Sequence, residues 1–185
     1  MGDEERVTME EEAGVRRSLS RMALEILERN DGCDDLVLLG IQRRGKELGE
    51  RIREEIHRAE GAEVPAGSLD ITLYRDDLMT VGPKPVVGES ELPLEGIDDL
   101  RVVVVDDVLF TGRTIRAALN ELMDWGRPAR IDLCVLVDRG RRELPIQPDV
   151  VGRLLPVGSH QRVDVSVPEI DGRLAVELVT PREAR

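Results

Sequence analysis

The sequence predicts an α/β protein in which a mostly parallel sheet is flanked by helices. Short apolar runs typical of buried strands occur at 36–41, 101–106 and 131–137. Amphipathic helical patterns stand between them at 45–60 and 112–126. Strands that alternate with helices of this length form a parallel sheet through right-handed crossovers. A chain of 185 residues has the length of one domain, so we expect residues 1–185 to form a single domain.

The first predicted helix covers residues 8–30. Thr8 and Glu11 have the spacing of a capping box, in which each side chain accepts a hydrogen bond from the other residue's backbone N–H. Apolar residues then recur at helical spacing until an Asn-Asp-Gly sequence ends the pattern at Gly32. A helix with a capped start is therefore the first element that the sequence predicts.

The remaining elements are predicted from hydrophobic spacing and from turn residues. They are strands at 36–41, 69–74, 101–106 and 131–137, helices at 45–60 and 112–126, and short strands near 150–155, 162–167 and 174–179. Between the strands at 69–74 and 101–106 lies a long segment rich in proline and glycine. Loops of that length inside a compact domain are commonly functional, and often act as lids.

The composition argues against several classes of function. Acidic residues outnumber basic ones by 38 to 26, a formal charge of −12, whereas a duplex-binding protein needs a positive surface. Cys33 and Cys134 have no CxxC spacing, which fits a reducing compartment. No apolar run approaches the roughly 20 residues of a membrane span, and the acidic start is unlike a signal peptide. We therefore expect a soluble, cytoplasmic protein with no membrane partner.

The stretch VVVVDDVLFTGRT at 102–114 carries the clearest chemical signal. A buried strand runs into two adjacent carboxylates, Asp106 and Asp107, and a short turn then enters a helix. Ligands of open α/β sheets bind at the carboxyl ends of strands, and helix N-termini attract phosphate. Carboxylates are good acceptors for vicinal sugar hydroxyls. The stretch therefore predicts a ribose 5-phosphate site, the alternative being that the acids merely cap the helix.

The phosphate part of this site is assigned to the turn and the start of the helix. Thr111 and Thr114 offer hydroxyl donors, and Gly112 lets the backbone approach an anion closely. Two arginines at another strand end suit a diphosphate, because guanidinium groups bind phosphate oxygens in pairs; a solvated helix start is the alternative there. The predicted phosphate-binding residues are Val108, Leu109, Phe110, Thr111, Gly112, Arg113, Thr114, Arg43 and Arg44.

The same stretch resembles the phosphoribosyl-pyrophosphate (PRPP) motif of the type I phosphoribosyltransferases. Its flanks resemble the PyrR family more specifically: LGIQRRG at 39–45, DITLYRDDL at 70–78 and GRPARIDLCVLVDRGRRELPI at 126–146. Members of that family are uracil phosphoribosyltransferases that often double as RNA-binding attenuators of the pyrimidine operon. The resemblance implies the type I phosphoribosyltransferase fold, with a lid loop at about 75–99 and a small hood at about 138–179.

The resemblance also implies roles for the matching residues. Asp106 and Asp107 would be the catalytic pair that holds the ribose, and Mg²⁺ would be bound mainly through PRPP, without a dedicated protein cage. The lid would begin at Tyr74, Arg75, Asp76 and Asp77, and the base would lie against Val137, Asp138, Arg139 and Val163. The implied reaction converts uracil and PRPP to UMP and diphosphate. The implied assembly is a homo-oligomer, a dimer or larger.

A further implication is UMP-responsive binding of pyrimidine operon leader RNA, through Arg21, Arg29, Arg142 and Arg153. Leu24 and Gln147 depart from RNA-binding members, which tend to carry histidine and arginine there. Two alternatives stay open. The chain is a phosphoribosyltransferase for another base, such as orotate or hypoxanthine, or it is a weakly catalytic RNA-binding regulator.

Overall fold

The computed structural model describes residues 4–74 and 89–181, which form two sheets with flanking helices. The strands are β1 (Glu4–Glu10), β2 (Leu36–Ile41), β3 (Ala66–Leu69), β4 (Arg101–Leu109), β5 (Arg130–Asp138), β6 (Val150–Leu154), β7 (Arg162–Ser166) and β8 (Ala175–Pro181). The helices are α1 (Glu12–Asn30), α2 (Arg44–Glu60), α3 (Arg113–Trp125) and the short α4 (Pro168–Asp171), with a 3-10 helix at Ile71–Tyr74.

The larger sheet is parallel throughout and has the strand order β3-β2-β4-β5-β6. Its central strand β4 is buried on both faces. Val103 and Val105 pack into the apolar cluster that includes α1 and α2, and Val102 and Val104 pack into the cluster that includes α3. Burial on two faces explains the continuous apolar run in the sequence. The predicted α/β fold with a mostly parallel sheet is confirmed.

The smaller sheet is antiparallel, with the order β1-β8-β7. We call this sheet, together with α4, the hood; it includes β1, which lies outside the range of about 138–179 expected for the hood. Its first strand corrects the prediction for residues 8–30, because Thr8 pairs with Glu177 of β8 and the helix begins only at Glu12. Within the described residues, Glu11 makes no side-chain capping bond, so the Thr8–Glu11 capping box is wrong. Strand pairing with a distant segment satisfies this backbone in place of the helix.

The prediction of a strand over 69–74 is also corrected. The strand β3 ends at Leu69, and the chain turns at Asp70, whose Oδ1 accepts the N–H of Thr72 at 2.9 Å. A short polar side chain that bonds its own backbone two residues on favours a turn over a strand. Beyond it, Glu91 forms an antiparallel bridge with Ser68 and so covers the outer edge of β3.

The predicted lid loop lies only partly in the described chain, since residues 75–88 fall outside it. Where the structure describes the chain, no helix has both the length and the apolar character that a membrane crossing requires.

Candidate active site

The candidate site lies at the carboxyl edge of the parallel sheet, around the end of β4. β4 lies between β2 and β5, but its ladder with β2 stops at Val105, whereas its ladder with β5 continues to Leu109. The strand thus extends to Leu109, three residues beyond the predicted end at Asp106. Asp106 and Asp107 therefore stand on a strand that is paired on one side only, and the other side opens toward the start of α2.

Two glycines allow α2 to begin directly against these strand ends. A Cβ on Gly45 would lie 2.4 Å from the carbonyl oxygen of Val105, and one on Gly40 would lie 2.5 Å from the backbone nitrogen of Lys46. Both distances are far shorter than a van der Waals contact, so only glycine fits. The N-cap residue of α2, Arg43, makes no side-chain capping bond to the first turn. Its backbone N–H groups are therefore available to an anion.

The two carboxylates have different environments. Asp106 is only 5% exposed, and its Oδ1 accepts the N–H of Asp107 at 2.9 Å. Burial, together with the charge of Asp107, raises the pKa of Asp106 well above its ordinary value. Burial also raises the pKa of Asp107, against the hydrogen bond from Val108 and the positive charge of Arg44. The pair is thus held at the strand end at an electrostatic cost.

A cavity of about 440 Å³ separates this edge of the sheet from the hood. Asp107, Arg44 and Val163 line it, so the structure brings these three predicted residues together. The cavity also has lining residues that the sequence analysis missed: Arg6, Asp164, Val165, Ser166, Asp171 and Arg173. These come from the hood, and no local motif marks them, because their position depends on strand pairing between the two ends of the chain.

Arg44 crosses this cavity to the hood. Its Nε and Nη2 donate to the two carboxylate oxygens of Asp171, at 3.1 and 2.9 Å. This bidentate pair raises the pKa of Arg44 and lowers the pKa of Asp171. Arg43, in contrast, is exposed and occupies the N-cap position of α2. Of the two predicted diphosphate ligands, only Arg44 lines the cavity, and it holds a carboxylate there.

The residues Phe110 to Gly112, which we call the phosphate turn, join β4 to α3. Gly112 has φ 91°, a conformation that glycine adopts without strain, and it occupies the N-cap position of α3. The hydroxyl of Thr111 accepts the N–H of Arg113 at 3.3 Å, and Thr114 follows in the first turn of α3. Val108 and Leu109 belong to the strand, and the side chain of Leu109 is buried in the core.

The predicted base-binding residues at the end of β5 are all buried: Val137, Asp138 and Arg139 are 0%, 8% and 7% exposed. The guanidinium of Arg139 lies 3.7 Å from the ring centre of Phe110 and donates to the carbonyl of Gln161 at 3.0 Å. Burial lowers the pKa of Arg139. The backbone of this segment is also engaged, since the N–H of Arg139 donates to the carbonyl of Leu109 at 3.1 Å and that of Gly140 to Asp138 at 2.8 Å, whereas Val163 lines the cavity directly.

The predicted lid begins at Tyr74, whose hydroxyl hydrogen-bonds to Asp124 of α3. This bond raises the pKa of the Tyr74 phenol. Arg75, Asp76 and Asp77 lie outside the described residues.

Three of the four arginines assigned to RNA lie along the contact between α1 and β6. Arg21 donates to the carbonyl of Val151 at 3.1 Å, Arg29 pairs with Asp149 at 2.9 Å, and Arg153 pairs with Glu10. Arg142 lies elsewhere, against the phosphate turn, where its Nη1 donates to the carbonyl of Phe110 at 3.1 Å. All four arginines therefore have acceptors within the protein, three of them at the contact between α1 and β6 and one at the phosphate turn.

Comparisons with known proteins agree with this geometry. The family model described as phosphoribosyl transferase domain matches residues 10–168. The Bifunctional protein PyrR of Deinococcus radiodurans is 52% identical over 169 residues, which cover 91% of this chain and 92% of that protein. The protein of the same name from Herpetosiphon aurantiacus is 56% identical over 157 residues, which cover 85% of this chain and 87% of that protein.

Solved structures show the same fold at low identity. A hypoxanthine phosphoribosyltransferase of Trypanosoma cruzi superposes with a TM-score of 0.70 at 17% identity, covering 95% of this chain and 97% of that one. A hypoxanthine-guanine phosphoribosyltransferase of Bacillus anthracis gives 0.68 at 17% identity, covering 96% and 100%. At these identities the likeness shows the fold alone. With the strand-turn-helix site and the close relatives, it shows that the chain belongs to the phosphoribosyltransferases and, within them, to the PyrR family.

Proposed function

We propose that the chain transfers the 5-phosphoribosyl group of PRPP to uracil, forming UMP and diphosphate. The observation that carries this proposal is the cavity in which Asp107 and Arg44 face each other at the start of α2. A carboxylate for a sugar diol, a guanidinium for a diphosphate and a helix N-terminus for a phosphate match the three parts of PRPP. The relatives support the choice within this enzyme class, since they carry the PyrR name.

In this proposal each part of the substrate has its own residues. Asp107 accepts hydrogen bonds from the ribose hydroxyls, and Asp106 orients it through the bond to its backbone N–H. The residues 111–114 hold the 5-phosphate, while Arg43 and Arg44 bind the diphosphate. As the bond between the anomeric carbon and diphosphate breaks, a uracil nitrogen forms the new bond to that carbon, and the proton of that nitrogen passes to the departing diphosphate. Stabilisation of the leaving charge by preorganised cations supplies most of the rate in sites of this kind.

We propose Mg²⁺ as the cofactor. Within residues 4–74 and 89–181, no group of three or more His, Cys, Asp or Glu side chains is arranged to hold a metal ion. The donors that the cavity does offer, the carboxylates of Asp107, Asp164 and Asp171, are the hard oxygen ligands that Mg²⁺ prefers. Such an ion, bound mainly through PRPP, would supply neutralisation of diphosphate charge.

The base is proposed to lie between Val163 and the backbone that follows β5. We further propose that residues 1–185 act as one phosphoribosyltransferase domain, that residues 75–99 supply its lid, and that the chain works in the cytoplasm as a homo-oligomer.

A second function is proposed beside the first, namely UMP-responsive binding of pyrimidine operon leader RNA. The observation that favours it is the alignment of Arg21, Arg29 and Arg153 along one contact between α1 and β6. Each of these guanidinium groups already has an acceptor in the protein, so RNA phosphates would compete with those partners. Binding that persists against a formal charge of −12 would have to be local to this contact.

The proposed activity is tested by assaying the purified chain with PRPP, Mg²⁺ and a panel of uracil, orotate and hypoxanthine. We expect diphosphate release with uracil and formation of UMP. Turnover of hypoxanthine or orotate in place of uracil would contradict the base assignment. No turnover with any base, together with UMP-dependent RNA binding, would leave the regulator as the function.

The RNA proposal is tested by titrating a leader RNA at several salt concentrations, with and without UMP. We expect UMP to strengthen binding, and Arg21→Gln to lower the salt slope by roughly 0.7–0.9, the value of about one lost phosphate contact. Arg127→Gln is the matched control, because Arg127 is exposed in the turn between α3 and β5. Equal salt slopes for both variants, or no UMP response, would refute the proposal.

A further inference from the structure

The segment after β5 runs along the back of the phosphate turn. The carbonyl oxygen of Thr111 accepts two hydrogen bonds from it, from the N–H of Glu143 at 3.0 Å and from that of Leu144 at 3.1 Å. A Cβ on Gly112 would lie 3.4 Å from the side chains of Leu144 and Ile146, so the turn and the segment are in contact. The conformation of the phosphate turn therefore depends on residues 139–146 as well as on its own sequence.

Arg142 makes the densest set of contacts between these two segments. Its Nη2 lies 2.8 Å from the Oδ2 of Asp138, its Nη1 donates to the carbonyl of Phe110 at 3.1 Å, and its Nε donates to the carbonyl of Ile146 at 2.9 Å. All three nitrogens of the guanidinium are engaged, in directions that its planar fork allows. One side chain thus joins the end of β5, the phosphate turn and the segment that supports it.

The ion pair inside this arrangement is largely buried. The side chains of Arg142 and Asp138 are 12% and 11% exposed. The other oxygen of Asp138 accepts the N–H of Gly140 at 2.8 Å, and Asp138 ends the strand to which the base is assigned. Separating a charge pair at this depth would leave each partner as a buried charge without compensation. The two side chains are therefore expected to stay together in one geometry.

We propose that Arg142 is a positioning residue for the phosphate turn, and that through Asp138 it ties the place of the 5-phosphate to the base-binding end of β5. The ligand in this inference, PRPP, rests on the proposed function. The family resemblance places Arg142 among the arginines that contact RNA. Its three internal bonds support the phosphate turn, so we expect its replacement to weaken the binding of PRPP.

The test compares Arg142→Lys and Arg142→Gln with Arg141→Gln, a matched control at the neighbouring exposed position. Lysine keeps the charge for Asp138 but cannot also bond both carbonyls. We expect Arg142→Lys to raise the KM for PRPP about tenfold, equivalent to about 1.4 kcal/mol. The kcat and the KM for uracil should stay within about twofold of wild type. Arg142→Gln should raise the KM for PRPP further, and Arg141→Gln should leave all three constants unchanged.

Melting temperatures of all variants accompany the kinetics. Should Arg142→Gln fail to fold, Arg142→Lys alone decides, because it retains the ion pair. A wild-type KM for PRPP in Arg142→Lys would overturn the inference, as would a loss of kcat without a change in that KM. Loss of RNA binding with unchanged PRPP kinetics would overturn it as well. If the wild type turns over none of the bases, the proposed function fails, while calorimetric titration of the same variants with PRPP still tests the role of Arg142.

Discussion

The variant Asp107→Asn distinguishes between two roles of Asp107: a carboxylate that binds the sugar, or a side chain that only caps the turn after β4. The change keeps the shape of the side chain, and an amide oxygen can still accept the N–H of Val108, a bond of 2.9 Å in the structure. What it removes is the negative charge that faces the cavity. A hydrogen bond to a charged group is worth about 1.5–3 kcal/mol, which corresponds to roughly one to two powers of ten in rate. We therefore expect kcat/KM for PRPP to fall about 10- to 100-fold.

We expect the thermal stability of the same variant to stay the same or rise, although its activity falls. Because burial raises the pKa of Asp107, the charged form is costly in the folded protein, and Asn should unfold at the same temperature as wild type or higher. The assay is steady-state diphosphate release with varied PRPP, beside thermal unfolding at neutral pH. Asp99→Asn, in an exposed loop at φ 59°, is the matched control for the lost charge. Wild-type kinetics with a lowered melting temperature would refute the assignment and make Asp107 a cap.

Three further predictions follow from burial and close packing. Asp106→Asn should raise the melting temperature near neutral pH. Because the pKa of Asp106 is raised by burial, stability of the wild type falls as the pH rises from the ordinary carboxyl range to that raised pKa. Thermal scans should show the gain vanishing as the pH drops to the ordinary carboxyl range, and a gain independent of pH would contradict this. Gly45→Ala should cost about 1–3 kcal/mol in urea unfolding, since its Cβ would meet backbone at 2.4 Å, whereas Gly14→Ala in α1 meets only ordinary contacts and should cost nothing. Burial raises the pKa of the Cys134 thiol, so a thiol reagent should modify the partly exposed Cys33 first and Cys134 only on unfolding; equal rates in the native protein would refute this.

The parallel sheet was predictable because its signal is local. Each of the strands β2, β4 and β5 is buried over most of its length, and a strand buried on both faces requires a continuous run of apolar residues. The phosphate turn was predictable for a similar reason, since strand, acids, glycine and helix start are consecutive. The length of β4 was underestimated because acidic residues interrupt its apolar run while its ladder with β5 continues.

The hood could not be predicted in the same way. β1 is exposed over most of its length, and its strand conformation comes from pairing with β8 at the far end of the chain. A helix and a strand were both compatible with these residues locally, and tertiary pairing decided between them. The pairing of Arg44 with Asp171 is likewise a contact between distant segments. Side chains such as Arg6 and Asp171 therefore line the cavity although no sequence motif predicts their position there.

The pairing of β1 with β8 also bears on the order in which the protein folds. Contacts between the two ends of a chain close the largest loop and carry the greatest entropic cost, so they form late. The strand pairs of the parallel sheet include no residue of β8, although Val176 of β8 packs into the apolar cluster that covers one face of that sheet. The side of the cavity that carries Arg6 forms only when β1 pairs with β8. A chain without β8 would lose the strand partner of β1 and, with it, the side of the cavity that carries Arg6.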